Sequence, residues 1–405
     1  MDELLFFGAI LVFAFGLFSK LADKSPITAP MVFVGVGVLA SPLGLNLFEV
    51  KIDSQAVQII AEVTLMLILF TDASTIDLRS LAKEYKVPLR LLGIGLPLTM
   101  VLGIFVALPL FGEMSIWLIA LMAFILSPTD AALGQAVVTS DKVPGDVRDS
   151  IGVESGLNDG IALPPIMACM AAVSAAAGTH LDVSYWAGFA AKQIAFGPVA
   201  GALVGLLGGT LIDRSVRHGW MSPIFQRLAS VALAILSYSV GEMLGGNGFI
   251  AAFFGGLMLG VRTQSVRERI HEFGDAEGQQ LCLFVFLIFG MVLVPAVTQY
   301  WDGKALLYAI LSLTVIRMLP VAISLTGTKM DLPTIGFIGW FGPRGIASVL
   351  YMLILIGEIG SKGHERMLSV IVLTVLISVF IHGLSAVPLS GLYGRFAGKR
   401  SEKVD

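Results

Sequence analysis

The sequence predicts an all-α polytopic membrane protein of about 13 transmembrane helices, built as two inverted-topology repeats in which helices 5 and 12 are broken. Three observations lead there. Of 405 residues, 56% are hydrophobic and 14% charged, whereas a soluble domain has roughly 25% charged residues. Apolar runs of about 20 residues, the length of a spanning helix, recur from end to end. Two of these runs carry breakers near their middles, "SPTD" at 127–130 and "FGPRG" at 341–345.

In order, the apolar segments cover about 3–19, 27–42, 55–71, 88–110, 115–138, 147–177, 184–212, 225–243, 247–261, 279–299, 304–325, 333–357 and 366–391. The first run lacks a basic leading stretch and a small-residue cleavage site, so it reads as a first spanning helix rather than a signal peptide. The loops are too short for a soluble domain, and about a dozen residues follow Gly391. Cys169 and Cys282 both fall inside apolar runs, which suits small buried hydrophobes better than a disulfide. The net charge of −3 is uninformative beside the distribution, and nothing points to nucleic-acid binding.

The distribution of Lys and Arg predicts an orientation. With an odd number of crossings the ends lie on opposite sides. Placing the carboxyl end in the cytoplasm puts 19 basic residues inside and only Lys51, Lys304, Lys362 and Arg366 outside. The remaining three, Lys192, Arg317 and Arg344, lie within helices. The expected setting is a cell membrane, the inner membrane of a bacterium, with the amino end outside.

Proline removes a backbone donor and glycine loosens a helix, so segments 5 and 12 should unwind or kink at their breakers. They are seven helices apart and therefore run in opposite directions. Interrupted segments at matching places in two halves mark a transport site between inverted repeats. This predicts core helices 4–6 (residues 88–178) and 11–13 (303–392). Helices 1–3 (1–87) and 8–10 (216–302) form a scaffold, helix 7 (179–215) links the halves, and 393–405 is a short cytoplasmic tail. Helix 7 carries Gly197, Gly201, Gly205 and Gly209 at every fourth place, a stripe for close helix packing. At about 1.5 Å per residue, Asp130, Asp159 and Arg317 lie roughly 18–22 Å from the first residue of their segments. That is near the middle of a ~30 Å core.

A carboxylate at that depth costs on the order of 2.5–3.5 kcal/mol, so it needs a reason. In "ESGLND", Ser155 and Asp159 are four apart and share a helical face, as do Glu154 and Asn158 one step round. Thr129 and Asp130 from the broken helix add a hydroxyl, a carboxylate and freed carbonyls. Hard oxygens with no His or thiolate suit a small hard cation. A carboxylate in low dielectric should have a raised pKa, so that proton and cation compete for the same oxygens. Competition at one mid-membrane site with alternating access is sufficient for antiport.

Blander roles stand beside these. Asp130 and Asp159 could pair with Arg317 and Arg344 as a static network. Glu154 could bind cation or neutralise Arg317, and the pair is favoured. Asn158 suits the satisfaction of helix ends, and Arg344 suits the dipole ends of broken helix 12. His382 reads as a hydrogen-bonded core residue before a proton relay. Glu62, Asp72 and Asp77 could line an inner funnel, but solvated helix-end charges are the simpler reading. Lys192 should snorkel outward.

"SPTDAALGQAVV", "ESGLNDGIAL", the arginine of "VIRMLP" and "GPRGIASVLYML", in this order on 13 helices, resemble the sodium/proton antiporters of the cation:proton antiporter-1 family, the NhaP and sodium/proton exchanger type. The resemblance covers essentially the whole membrane chain and implies an NhaA-like antiporter fold. It implies that Asp159 is the essential ion- and proton-binding carboxylate. Asp130, Ser155 and the backbone carbonyl of Thr129 would complete a Na+ site. Glu154 would act through water or by pairing with Arg317. Asn158 stands where electrogenic relatives carry a second aspartate, so exchange should be electroneutral. The implied protein is no enzyme. It is a homodimer in the bilayer that moves its core like an elevator, with Na+ or Li+ and H+ as substrates and no cofactor. Two departures are the short tail and "FTDAS" at 70–74, where many relatives have a glycine-rich stretch.

The rivals are a K+/H+ antiporter of the same family, a sodium-coupled solute symporter on a similar fold, and an intramembrane aspartyl protease. The last wants a Gly-x-Gly-Asp signature that neither "PTD" nor "LND" matches.

Overall fold

The computed structural model describes residues 2–22, 25–48, 52, 54–76, 86–176, 183–262, 267–328 and 330–401. Every regular element among them is helical. Each of the 13 apolar segments has a helical counterpart. Eight are long and apolar enough to cross a membrane, and the shorter apolar helices Phe6–Ala22, Ala29–Ala40, Ile116–Ile125, Gly248–Val261 and Ile346–Ile359 account for the other five. The helices outrun the apolar windows in places. Segment 10 starts at Arg267 and segment 13 continues to Ser401. An apolar window measures the length that prefers lipid, whereas backbone hydrogen bonding continues into polar sequence. Asp77 and several of the loop cations used for orientation, Lys24, Lys51, Arg79, Lys83, Lys329 and Lys403, lie outside the described residues.

The chain forms two compact units. The first comprises residues 1–58, 87–155 and 282–405. It holds both breaks. Segment 5 is Ile116–Ile125 followed, after five non-helical residues, by Ala131–Val138. Segment 12 is Leu332–Trp340 followed by Ile346–Ile359. Segments 4 and 11 are irregular too. Segment 4 contains a π turn at Leu91–Gly95, and segment 11 is interrupted at Thr314. An apolar cluster of Val137, Val143, Ile151, Val321, Phe337, Phe341 and Tyr393 ties one end of segments 5, 6, 11, 12 and 13 together. The Tyr393 ring stacks on Phe337 at 4.2 Å, and its hydroxyl lies 2.8 Å from Thr334 Oγ1. Segments 2 and 10 touch backbone to backbone, because a Cβ at Gly37 would strike the Leu287 carbonyl and one at Gly290 the Val34 carbonyl.

The second unit comprises residues 59–86 and 156–281. Segment 9, Gly248–Arg262, is its centre. The glycine stripe of segment 7 lies against it: a Cβ at Gly201 would meet the Ala251 carbonyl, and one at Gly205 the Gly255 carbonyl. Gly256 and Gly260 of segment 9 meet Phe70 and Ser74 of segment 3 in the same way. Without side chains between them the helix axes approach closely, which is how apolar helices associate in lipid. Cys169 of this unit and Cys282 of the first are both buried, and neither forms a disulfide.

Candidate functional site

Pro128 has no N–H to continue the helix, so segment 5 stops at Ile125 and resumes at Ala131. Segment 12 stops at Trp340 for a matching reason, with Gly342, Pro343 and Gly345 in the gap. The two gaps satisfy each other. The Asp130 amide donates to the Pro343 carbonyl at 2.9 Å. The Asp130 carboxylate accepts from the Ile346 amide through Oδ2 at 2.5 Å and from the Leu133 amide through Oδ1 at 3.4 Å. In return, Arg344 Nη1 donates to the carbonyls of Ser127 at 2.5 Å and Pro128 at 3.1 Å. Ser348 Oγ donates to the Ile125 carbonyl at 2.7 Å.

An anion therefore stands at the amino end of the helix Ile346–Ile359, and a cation at the carboxyl end of Ile116–Ile125. Each sign complements the partial charge of the helix end it meets. Both side chains are out of water, Asp130 at 3% exposure and Arg344 at 0%. Gly345 is required by this contact, since a Cβ there would overlap the Asp130 carboxylate.

A second charged pair lies in the same unit. Arg317 donates from Nη1 and Nη2 to both oxygens of Glu154, at 2.6 and 2.8 Å. A Cβ at Gly342 would overlap the edge of that guanidinium, so the glycine lets arginine lie against the break. Thr129 Oγ1 and Ser155 Oγ lie 3.0 Å apart.

Of the residues singled out from the sequence, Glu154 and Arg317 are thus brought together, as are Thr129 and Ser155, and Asp130 and Arg344 sit in the interlocked gaps. Asn158 and Asp159 continue the helix Gly145–Ala176 within the second unit and are buried, at 1% and 7% exposure. There Gly160, the next residue, packs against the Phe253 ring. Glu62 and Lys192 are exposed and Asp72 is half-buried. Ser348 and Ser378 were not evident from sequence. A serine inside an apolar helix ordinarily bonds its own backbone, and nothing local marks one that reaches across to another segment.

A helical membrane protein whose two opposed broken helices trade a carboxylate and a guanidinium at their gaps has the architecture of a broken-helix secondary transporter. The chain belongs to the sodium/hydrogen exchanger family: residues 8–390 match the model of the transmembrane sodium/hydrogen exchanger. It is 24% identical over 390 residues to the K(+)/H(+) antiporter NhaP2 of Shewanella oneidensis, covering 93% of this chain and 65% of that protein. It is 28% identical over 387 residues to the K(+)/H(+) antiporter NhaP of Alkalimonas amylolytica, covering 91% and 63%. The chain thus spans just under two thirds of the length of these relatives. Its fold is similar to the sodium proton antiporter MjNhaP1 of Methanocaldococcus jannaschii at pH 8, with a TM-score of 0.78 at 18% identity over 97% of this chain and 98% of that one.

Proposed function

We propose that the protein is a secondary antiporter that exchanges Na+, and also Li+, for H+ across the membrane. The observation that carries this reading is the interlock of Asp130 and Arg344 across the two gaps. It holds charged groups and non-helical backbone inside a lipid-spanning unit, where such backbone is tolerated only if buried in protein or lining a cavity and where buried charges mark ion pathways. Asp159 supplies the carboxylate for which cation and proton compete. Asp130, Ser155 and the carbonyl of Thr129 complete a set of hard oxygens for the cation. The four-residue spacing of Ser155 and Asp159 on one helix supports that grouping. Glu154 and Arg317 neutralise each other and leave the titration to Asp159. The core helices move against the scaffold in alternating access within a homodimer of an inner membrane, carboxyl end inside. In this reading the ions are substrates, and no cofactor takes part.

A second reading places K+ where Na+ stands. It is favoured by the names of the Shewanella and Alkalimonas relatives, both K(+)/H(+) antiporters. One experiment separates the two and tests both. Purified protein in proteoliposomes is given a pH gradient, and Na+, Li+ and K+ are added in turn. Na+ and Li+ should collapse the gradient and K+ should not. A response to K+ alone selects the second reading, and no response to any of the three overturns antiport.

A further inference from the structure

Segment 13 presents a row of polar side chains to the gap in segment 12. Ser378, His382 and Ser385 recur at i, i+4 and i+7 on one face of the helix Glu365–Ser401. The amide of Arg344 donates to Ser378 Oγ at 2.7 Å. Ser378 Oγ lies 3.2 Å from His382 Nδ1, and His382 Nε2 lies 3.0 Å from the Trp340 carbonyl oxygen. The Trp340 indole donates to Ser385 Oγ at 3.1 Å and lies 5.2 Å from the imidazole. Ser378 and His382 are fully buried.

The numbering of the two ends is informative. In an unbroken helix the N–H of Arg344 would donate to the carbonyl four residues earlier, which is Trp340. That is the pair of groups the row joins. We propose that Ser378 and His382 form a positioning clamp that replaces the hydrogen bond lost at the break of segment 12, and so fixes the geometry of the gap around the ion site. An amide can only donate, so Ser378 Oγ accepts from Arg344, and in the clamp its own proton goes to His382 Nδ1. A carbonyl can only accept, so Nε2 carries the hydrogen that meets Trp340. The clamp takes His382 as a neutral imidazole protonated at Nε2; Nδ1 also lies 3.0 Å from the Ser378 carbonyl, which only a protonated Nδ1 could bond. A second proton would bond that carbonyl. It would also break the link from Ser378 and bury a cation in a unit that already holds Arg317 and Arg344.

The clamp acts on the ion site through the backbone it holds. Arg344 lies in the gap and Ile346 directly follows it, and they are the groups that grip Ser127, Pro128 and Asp130. Slack at Trp340 should let Asp130 drift and weaken cation binding while leaving the protein folded. His382 is thus a positioning residue, and its contribution rests on the antiport reading above.

Two measurements test it, and the first does not depend on transport. Histidine-labelled protein in lipid bilayers is examined by 15N NMR, with the His382→Gln variant assigning the signal. His382 should be neutral with its hydrogen on Nε2, and Ser378→Ala should shift it towards the Nδ1 form. An imidazolium, or the Nδ1 form in the unaltered protein, overturns the clamp. The second measurement is the apparent KM for the cation in proteoliposomes. A glutamine amide reaches the place of Nε2, three bonds from Cβ, whereas an asparagine amide reaches only the place of Nδ1. His382→Asn should raise KM on the order of tenfold, as losing one buried hydrogen bond does, and His382→Gln should stay within about twofold. Equal losses in both, or a fall in maximal rate at unchanged KM, overturn the proposal. If His382→Asn does not fold, Ser378→Ala takes its place with the same expected rise in KM, and an unchanged KM in it counts against the clamp. If the unaltered protein exchanges no cation, the antiport reading fails, and the NMR result alone decides the clamp.

Discussion

Glu154 and Arg317 meet in a two-pronged ion pair, 163 residues apart in sequence, with each residue 2% exposed. Such a pair is two dependent charges. Removing one leaves the other buried and uncompensated, at a cost of about 3–5 kcal/mol. Glu154→Ala and Arg317→Ala should each lower the melting temperature of the purified protein sharply, and the double variant should recover part of the loss. Strict additivity in the double-mutant cycle would show that the two do not depend on each other.

Gly345 tests the interlock of the two gaps. Its missing Cβ is the space that the Asp130 carboxylate occupies. Gly345→Ala should cost about 1–3 kcal/mol through overpacking and displace Asp130 from the Ile346 amide. Cation-dependent proton flux should fall more than stability does. Gly134 supplies a control, because a Cβ there meets nothing within 4 Å. Gly134→Ala, inside a helix, should be neutral or stabilising by up to about 1 kcal/mol. Equal effects at the two glycines would remove the argument for close approach.

Asp159 carries the proposed titration. Asp159→Asn keeps the shape but can neither release a proton nor neutralise a cation. The variant should purify and melt like the unaltered protein and show no exchange in proteoliposomes. Retained cation-dependent proton flux would rule out Asp159 as the carrier.

Asn158 fixes the proposed stoichiometry. An aspartate at this position could carry a second proton, but asparagine does not titrate. Asp130 is already engaged as the acceptor of two backbone amides, those of Leu133 and Ile346. One cation should therefore exchange for one proton. Each net charge moved across 100 mV would be worth about 2.3 kcal/mol, so an electrogenic cycle would respond strongly to voltage. Sodium efflux at equal pH should not change when valinomycin imposes a potential. If it speeds up or reverses, Asp130 becomes the candidate second proton carrier.

A pH effect on stability is expected outside the spans, at Asp302. Arg366 Nη2 donates to its carboxylate at 2.6 Å, the Ala305 amide adds a bond at 2.8 Å, and Arg366 also stands 5.2 Å from the Phe111 ring centre. The Arg366 hydrogen bond, with the Ala305 amide behind it, holds the carboxyl below its ordinary 3.8. A lowered carboxylate contributes stability above its unfolded pKa and loses it as pH falls through the folded value. The side chain is half exposed, so the effect is small. Between about pH 6 and pH 3, the melting temperature of Asp302→Asn should fall less than that of the unaltered protein. Parallel curves would show that the contact does not titrate.

The crossings were legible because lipid imposes a length on apolar sequence, and the 13 windows read from composition all became helices. The gaps in segments 5 and 12 were legible for a similarly local reason, the missing N–H of Pro128 and Pro343. Which buried charges were present was equally plain. Their partners were not. Nothing in "ESGLND" separates a Glu154 that binds a cation from one that meets Arg317. Nothing in "IHGLS" says that His382 joins Trp340 to Arg344 through Ser378. Periodicity and chain chemistry act over a few residues, so the sequence by itself determined the helices, their breaks and the groups that needed partners. The choice among partners depends on distances between segments remote in the chain, set by helix packing, so only the tertiary structure decided that Asp130 caps segment 12 and Arg344 caps segment 5.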